Sequence, residues 1–548
     1  MSTFRWWILI IPAVLSAMMY GRFFGGFWLG DDFPNLQRMW MASARGELWS
    51  ETWTQFFVVA PAQGSFYRPA MIASLALNEY LAGSRFAGWF AFNFVVHVLN
   101  SALVGMLAAR FAAVCERDGR LSGAIAAAFF ALCPAIPEGV FWISARADES
   151  VTLLTLTGAY IWAAAPATTI RAMALPLFLV PALGFKESAA VFPLQMALVA
   201  LAYPARLSRA QIAALASCFV LLGLFFGIRT HFFGQAWQVY GTDYTEPALD
   251  RLWHGAFSLG DWWIALTKQT PLAALVYVVS SAAALLLFAA GANGAHKRLA
   301  TALFCASLGF IVASMLNLGS MSASGEQGRL FYTPIAWLAL AFGVAGARPG
   351  DVLDPHEKSA RYRLAGIWLL ACATAIGAWV IEPELRLALI AQRNVRQLAD
   401  AARAWAESHA GITLLIVEEL FGPVVTMRNA QGGLVMPPVQ PRSLLHRVLP
   451  TLPTEIELRY EQLSTGLATR LEKIRPSGAD AEELRQIFDR DGARWPDHYA
   501  CWSNRESTII ELAPLDSGNR ALWIAMLRDN VKVCAIQGQQ QPRRFTLE

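Results

Sequence analysis

Charge is what this sequence has least of. Only 15% of its 548 residues are Asp, Glu, Lys or Arg, whereas 56% are hydrophobic. Soluble domains carry about 25% charged residues. So large a deficit, together with long apolar runs, excludes an ordinary soluble domain and indicates an integral membrane protein. The net charge of +4 is small, and no nucleic-acid partner is expected. Cysteine is sparse as well. The seven residues lie far apart with no CxxC pair, which removes support for zinc and thioredoxin-type chemistry. No internal repeat of about 20–50 residues and no low-complexity tract is present. A small-residue cleavage site is also missing after the first apolar stretch. Met1–Tyr20, with one Arg, is therefore expected to be a retained first transmembrane helix.

Apolar runs are abundant. A membrane helix needs about 20 predominantly apolar residues. That rule predicts roughly eleven spans, starting near Trp6, Phe86, Leu121, Ser150, Met173, Ser188, Gln211, Trp262, Leu299, Leu330 and Leu364. Some are closely joined, at Ser144–Glu149 and at Lys186–Glu187, and such joins must be tight helical turns because unpaired backbone is not tolerated against lipid.

Basic residues set the orientation. With Arg5 in the cytoplasm, the even-numbered spans end at Arg110, Arg117 and Arg120, then Arg171, Arg206 and Arg209, Lys297 and Arg298, and Arg348 to Arg363. The other side receives few charges of mixed sign, each next to a helix end. From about Glu382 onward the character changes: "GITLLIVEEL" and "DNVKVCAIQG" read as strands and "NVRQLADAARAWAESHA" as a helix. We therefore expect a helical membrane domain over 1–382 and an extracytoplasmic α/β domain over 383–548. Cys501 and Cys534 fall in the second, where a disulfide is permitted and unpaired thiols are equally open. The first outer segment, between Gly30 and Arg85, places Leu36, Met39, Trp40, Leu48, Trp49, Trp53, Phe56 and Phe57 on a helical stripe. One or two helices lying on the membrane surface are expected there.

The outer charges form a series. Asp31 and Asp32 come first, then Arg68 in "SFYRPA", Asn93, His97 and Asn100 in "NFVVHVLN", and Glu138, Arg146 and Asp148 in "PEGVFWISARAD". Lys186 and Glu187 follow in "GFKESA", Arg229 in "GIRTHFFG", and Glu326, Arg329 and Tyr332 in "SGEQGRLFYTP". Asn93 and His97, four apart, share one helix face, where polar groups in a span face the protein interior or a wet cavity. Lys186 and Glu187, adjacent, cannot face each other on a helix, so each needs another partner. Carboxylates flanked by cations suit proton abstraction from a hydroxyl beside an anionic leaving group. A base takes the proton, a neighbouring acid tunes it, and Arg or Lys stabilises the departing phosphate.

The order of these motifs resembles that of the polyprenyl-phosphate-sugar-dependent GT-C glycosyltransferases. It is most similar to the membrane half of the transmembrane and tetratricopeptide-repeat O-mannosyltransferases and their bacterial relatives. The paired acids after the first span match Asp31-Asp32, the YRP triplet matches Tyr67-Arg68-Pro69, and the NxxxH helix matches Asn93 and His97. The segment from proline through Glu and Trp to Arg-x-Asp matches Pro134–Asp148, the KE pair matches Lys186-Glu187, and the last motif matches Glu326–Pro334. The matches run through about residues 1–345. The chain departs from the pattern at Cys133-Pro134, where the family has His-Pro, at the split Glu326-Gln-Gly-Arg329, and in having no tetratricopeptide array.

The resemblance implies a GT-C-like membrane domain that performs inverting glycosyl transfer on the periplasmic face of a bacterial inner membrane. The donor would be a sugar on a polyprenyl phosphate; the acceptor would be a hydroxyl of a protein, a lipid or an envelope glycan. It implies that one of Asp31 and Asp32 is the general base, with Asp31 favoured. Arg146, Lys186 and Arg329 would meet the lipid phosphate, joined by Arg68, Arg229 and Tyr332, while Asp148 and Glu187 orient the cations. Asn93, His97, Glu138 and Glu326 would be structural or secondary. It fixes no cofactor: the class often needs no metal for monophosphate donors, but paired acids can hold Mg²⁺ or Ca²⁺ through oxygen ligands, and a metal is left open. Two other readings compete. A transporter or lipid flippase would use the same charges as a pathway, and a different transferase would use His97 as base.

Overall fold

The computed structural model describes residues 7–29, 32–57, 67–164, 169–233, 250, 271–292, 294–318, 325–347 and 358–383, short pieces between 385 and 396, and six strands after 413. In chain order the helices are α1 (Trp7–Tyr20), α2 (Asp32–Ala44), α3 (Leu48–Phe57), α4 (Pro69–Ala82), α5 (Phe86–Val114), α6 (Gly119–Ala131), α7 (Pro137–Phe141) and α8 (Arg146–Ala163). They continue with α9 (Thr169–Ala172), α10 (Ala174–Phe185), α11 (Phe192–Ala202), α12 (Arg209–Phe233), α13 (Pro271–Gly291), α14 (Gly294–Leu318), α15 (Tyr332–Ala345) and α16 (Lys358–Val380). The chain separates into two compact units, one of Met1–Phe24 with Thr52–Leu385 and one of Gly25–Glu51 with Arg386–Glu548.

Among the described residues of the first unit, five helical stretches are long and apolar enough to cross a membrane by length and composition: Phe86–Val114, Arg209–His231, Gly294–Ser314, Gly328–Ala345 and Arg361–Val380. Their outer faces carry bare apolar side chains, among them Val220, Leu224 and Trp368, each more than half exposed. Such surface is costly in water and at home in lipid. This is consistent with a helical membrane protein.

The eleven expected spans are therefore not all of full length. Helices begin near each predicted start except Trp262, which lies outside the described residues. Several are short. α6 has 13 residues, α10 has 12 and α11 has 11. At 1.5 Å per residue they reach only about 17–20 Å, less than the roughly 30 Å of a bilayer core. Chain chemistry explains the breaks. Lys186 is extended (φ −160°, ψ 141°) and stops α10. A 3₁₀ turn over Glu187–Val191 follows, and Pro193 sits in the first turn of α11, where its missing N–H is no loss.

α5 is the central element. At 29 residues it is about 43 Å long, and it packs against α1, α4, α6, α8 and α15. Small residues allow the closest of these approaches. A Cβ at Gly105 of α5 would lie 3.0 Å from the carbonyl oxygen of Gly123 on α6, and one at Gly343 of α15 would lie 2.6 Å from Ser122 O. A fork of hydrogen bonds closes the unit: Arg22 donates to both Glu382 oxygens at 2.7 and 2.6 Å.

In the second unit, the apolar stripe of α2 differs from expectation. Leu36, Met39 and Trp40 are buried, at 5% exposure or less. They pack within protein and do not lie on lipid. In α3, whose residues from Thr52 onward belong to the first unit, Trp49, Trp53 and Phe57 are exposed and stand one turn apart along a single face. Helical periodicity alone cannot separate these two outcomes. Further along, β1 (Leu414–Glu418), β4 (Ala521–Met526), β5 (Asn530–Cys534) and β6 (Arg543–Thr546) form a sheet in the order β1-β4-β5-β6. β1 runs parallel to β4 with Leu414 opposite Ala521; the other pairs are antiparallel, with Trp523 opposite Cys534. β2 (Tyr499–Asn504) and β3 (Ser507–Leu512) pair antiparallel. Cys501 and Cys534 lie in strands of different sheets, and their side chains are outside what the structure describes. The helix read at 394–410 lies almost wholly outside the described residues.

Gly343→Ala should therefore destabilise the protein by about 1–3 kcal/mol through overpacking, whereas Gly223→Ala on α12, with nothing within 4 Å of the added methyl, should not. Thermal unfolding of the two variants in detergent checks this, and equal midpoints would refute the close packing.

Candidate functional site

The site is built at helix ends. Pro69 opens α4, so Arg68 stands just outside its first turn. Pro137 opens α7 and brings Glu138 into its first turn. α8 begins at Arg146, directly after a 3₁₀ turn over Ile143–Ala145, and carries Asp148 and Glu149 in its first turn. Acids there are favoured by the helix dipole.

Lys186 and Glu187 find separate partners, as their adjacency demands. The Lys186 ammonium donates to both oxygens of Asp148 at 2.8 and 2.7 Å. The Arg68 guanidinium donates to Glu187 through two bonds, at 3.0 and 2.8 Å. One dipeptide thus fastens the start of α4 and the start of α8 to the end of α10. The Lys186–Asp148 side chains are enclosed, 8% and 4% exposed, and Arg68–Glu187 somewhat less so, at 16% and 15%.

Arg146 is fully buried. It donates to Asn78 Oδ1 at 2.8 Å and to Ser74 O at 3.3 Å, both on α4. Its guanidinium carbon lies 4.5 Å from the centre of the Phe92 ring and 5.6 Å from that of Trp89, a cation–π arrangement. In this structure Arg146 joins α8 to α4 and α5.

Arg329 sits on a 3₁₀ turn, Gly325–Phe331. Its side chain donates to Glu138 Oε1 at 2.8 Å and its backbone N–H to Oε2 at 2.9 Å. The guanidinium lies 4.4 Å from the Trp142 ring centre and is 23% exposed, more open than Arg68 or Lys186. Of the two residues that split Glu326 from Arg329, Gly328 has a steric use. A Cβ at Gly328 would stand 3.2 Å from Ala135 O, so glycine lets the turn approach α7. The Glu326 side chain lies outside what the structure describes.

The polar face of α5 is fully enclosed: Asn93, His97 and Asn100 are all 0% exposed. Asn93 donates to Trp142 O at 3.0 Å. Around His97 the donors can be assigned. Its Nε2 lies 3.4 Å from Ala131 O, and a carbonyl can only accept, so Nε2 carries the proton. Nδ1 then accepts from the Tyr332 hydroxyl at 2.8 Å, whose oxygen accepts from Asn100 at 3.3 Å. His97 and Tyr332 are thus mutual structural partners, and the basic nitrogen of His97 is occupied. This weighs against His97 as a catalytic base.

Sequence reasoning missed Glu149. It is 0% exposed, and neither carboxyl oxygen has a hydrogen-bond partner among the described residues. A carboxylate so enclosed requires a counter-charge or a proton, and Arg146, one turn earlier on the same helix, acts on it electrostatically. The signal was present in "RADES", where a second acid follows Asp148 at i+3 from Arg146.

Three candidates remain. Arg229 is 2% exposed on α12, its guanidinium 5.8 Å from the Phe225 ring one turn back. Asp31 lies outside the described residues. Asp32 opens α2 in the second unit and is 1% exposed. The Leu29 N–H donates to its Oδ2 at 3.0 Å, and its own N–H donates to Leu29 O at 2.9 Å. Its carboxylate therefore fastens its own turn. As for a metal, the described carboxylates Glu138, Asp148 and Glu187 are each engaged by a cationic side chain. No group of three or more His, Cys, Asp or Glu suited to an ion occurs among the described residues. No metal step is derived from this donor set.

Lys186→Met strands the enclosed Asp148 and should cost about 3–5 kcal/mol, whereas Lys186→Met with Asp148→Asn should recover most of the loss. Thermal unfolding of the wild type, the singles and the double forms the cycle. Additive losses would show that the pair is not coupled.

No family model and no curated protein matches the chain. Three chains of solved structures do, two of which are as follows. One is the single-particle cryo-EM structure of arabinofuranosyltransferase AftD from Mycobacteria, 15% identical, covering 83% of this chain and 31% of that one, with a TM-score of 0.45. The other is a mutant of the same protein, 14% identical, covering 83% and 33%, with a TM-score of 0.44. The chain spans about a third of the length of those proteins.

Proposed function

We propose that this chain is a membrane glycosyltransferase that moves a sugar from a polyprenyl-phosphate donor to a hydroxyl acceptor on the extracytoplasmic face. One observation carries the reading. Segments scattered from Arg68 to Tyr332 are tied by direct hydrogen bonds and ring contacts at the ends of α4, α7, α8, α10 and α15. A bundle held together by packing alone has no need of so many enclosed charges, which are costly in a membrane protein and mark function.

In this reading the acceptor oxygen attacks the anomeric carbon, the bond from that carbon to the phosphate oxygen breaks, and the configuration inverts. The acceptor proton passes to a carboxylate, and polyprenyl phosphate leaves with the electron pair. We assign the base to Asp31, because the Asp32 carboxylate is already occupied by the Leu29 N–H. Burial ranks the cations. Arg329, the most open, and then Arg68 meet the phosphate, where charge-assisted hydrogen bonds are strongest. Lys186 and the fully buried Arg146 hold the frame, with Asp148 and Glu187 fixing their neighbours. Residues 1–382 form the catalytic membrane domain in this assignment, with eleven spans, and 383–548 an extracytoplasmic α/β domain. The donor, the face and the membrane are part of the proposal.

Asp31→Asn should lower kcat by about 10²–10⁴-fold, the range for a lost general base, while the protein still accumulates in the membrane. Arg329→Ala should raise the donor KM by about 10–100-fold for a lost charged hydrogen bond. Transfer assays with a polyprenyl-phosphate sugar measure both. Full activity in Asp31→Asn and Asp32→Asn alike would sink the base assignment. Movement of the lipid in proteoliposomes without any product would favour a flippase.

A further inference from the structure

The second unit joins a short early segment, Gly25–Glu51, to the chain after Arg386. Arg396 makes the link concrete. Its Nη2 donates to the carbonyl oxygen of Gly26, and its guanidinium carbon lies 5.5 Å from the centre of the Phe27 ring. The contacts continue from there. The Phe27 ring meets Trp28 edge-on at 4.9 Å, and Trp28 meets Trp40 of α2 at 5.8 Å. Both tryptophans are buried, at 1% and 2% exposure. Leu29 and Asp32 then exchange the two hydrogen bonds that open α2. Ala388 and Gln392, at 0% and 1% exposure, precede Arg396 at intervals of four, so all three lie on one helical face.

We propose that Arg396 is a positioning residue: it anchors Gly26 and Phe27 and thereby fixes the Leu29–Asp32 hydrogen bonds at the start of α2, the point in the sequence that carries the paired acids. A planar guanidinium suits the task, since it can donate to a carbonyl and lie against a ring at once. The late segment is thus a working part of the acid-bearing loop and not an appended module. The positioning role rests on the transferase reading; the anchoring itself does not.

Two measurements on the full chain in detergent separate them. In Arg396→Ala, hydrogen exchange at the Leu29 and Asp32 amides should rise, because their bonds loosen. Phe27→Leu should raise it less, and Arg396→Lys should fall between alanine and wild type. In the transfer assay, Arg396→Ala should lower kcat by about 10²-fold, the scale for a misplaced catalytic group, with donor KM within about twofold and the thermal midpoint of the membrane helices unchanged. A merely structural role would move midpoint, KM and kcat together. Unchanged exchange overturns the anchor whatever the activity. Raised exchange with unchanged kcat overturns the positioning role and leaves the transferase reading intact. If the wild type makes no product, that reading fails, and the exchange data alone decide the anchor.

Discussion

The division of Lys186 from Glu187 is the constraint on which the polar site depends. Two adjacent side chains of opposite charge cannot satisfy each other across a helix turn, and in an apolar bundle neither can be left alone. The extended backbone at Lys186 ends α10. It sends the ammonium to Asp148 on α8 and the following carboxylate to Arg68 ahead of α4. Once α4 and α8 are held, Arg146 is brought against Asn78 and Ser74, and the enclosed face of α5 meets Trp142 and Tyr332. Removing either ion pair would free a helix end that the others use as a reference.

The network also explains why the central helix tolerates so many polar groups. Asn93, His97 and Asn100 share one face, and each has a defined donor or acceptor role toward a neighbouring helix or turn. Each side chain makes at least one such bond, although Asn93 Oδ1 and Asn100 Oδ1 have no partner among the described residues, and each bond made lowers the cost of enclosing a polar group. The glycines beside them serve the same end. A Cβ at Gly139 would stand 2.7 Å from the Tyr332 ring, so α7 can come close enough for Trp142 and Tyr332 to reach α5.

Much of this could be read from the residues, and the limits have physical causes. The need for separate Lys186 and Glu187 partners followed from helix geometry alone. So did the shared face of Asn93 and His97, and the helix starts followed from apolar length. Partner identity was not legible, since Asn78 and Arg146 are 68 positions apart and periodicity holds no information on contacts at that range. The fate of an apolar stripe was hidden for another reason. Trp40 and Trp53 sit in similar patterns, yet one is buried at 2% and the other is 61% exposed. Lipid and protein interior both accept tryptophan, so the pattern cannot choose. Glu149 was overlooked because its neighbour Asp148 already supplied the acid that the motif called for.

The cations finally separate by access. Arg146 is sealed between rings, Lys186 is nearly so, Arg68 is part-covered, and Arg329 lies open against Trp142. An enclosed cation already bonded to its neighbours cannot take a new anion without breaking what holds it. Arg329 is bonded too, to both Glu138 oxygens, but it is 23% exposed and one of its faces rests on the Trp142 ring, so in the transferase reading it is the cation that a phosphate reaches with least disturbance of the bundle. In the proposed transferase the series divides one chemical type between two tasks, holding helix ends inside and receiving negative charge at the rim. A bundle in which every cation were equally exposed would have nothing rigid behind the receiving end, and positioning of charge is what makes such groups effective.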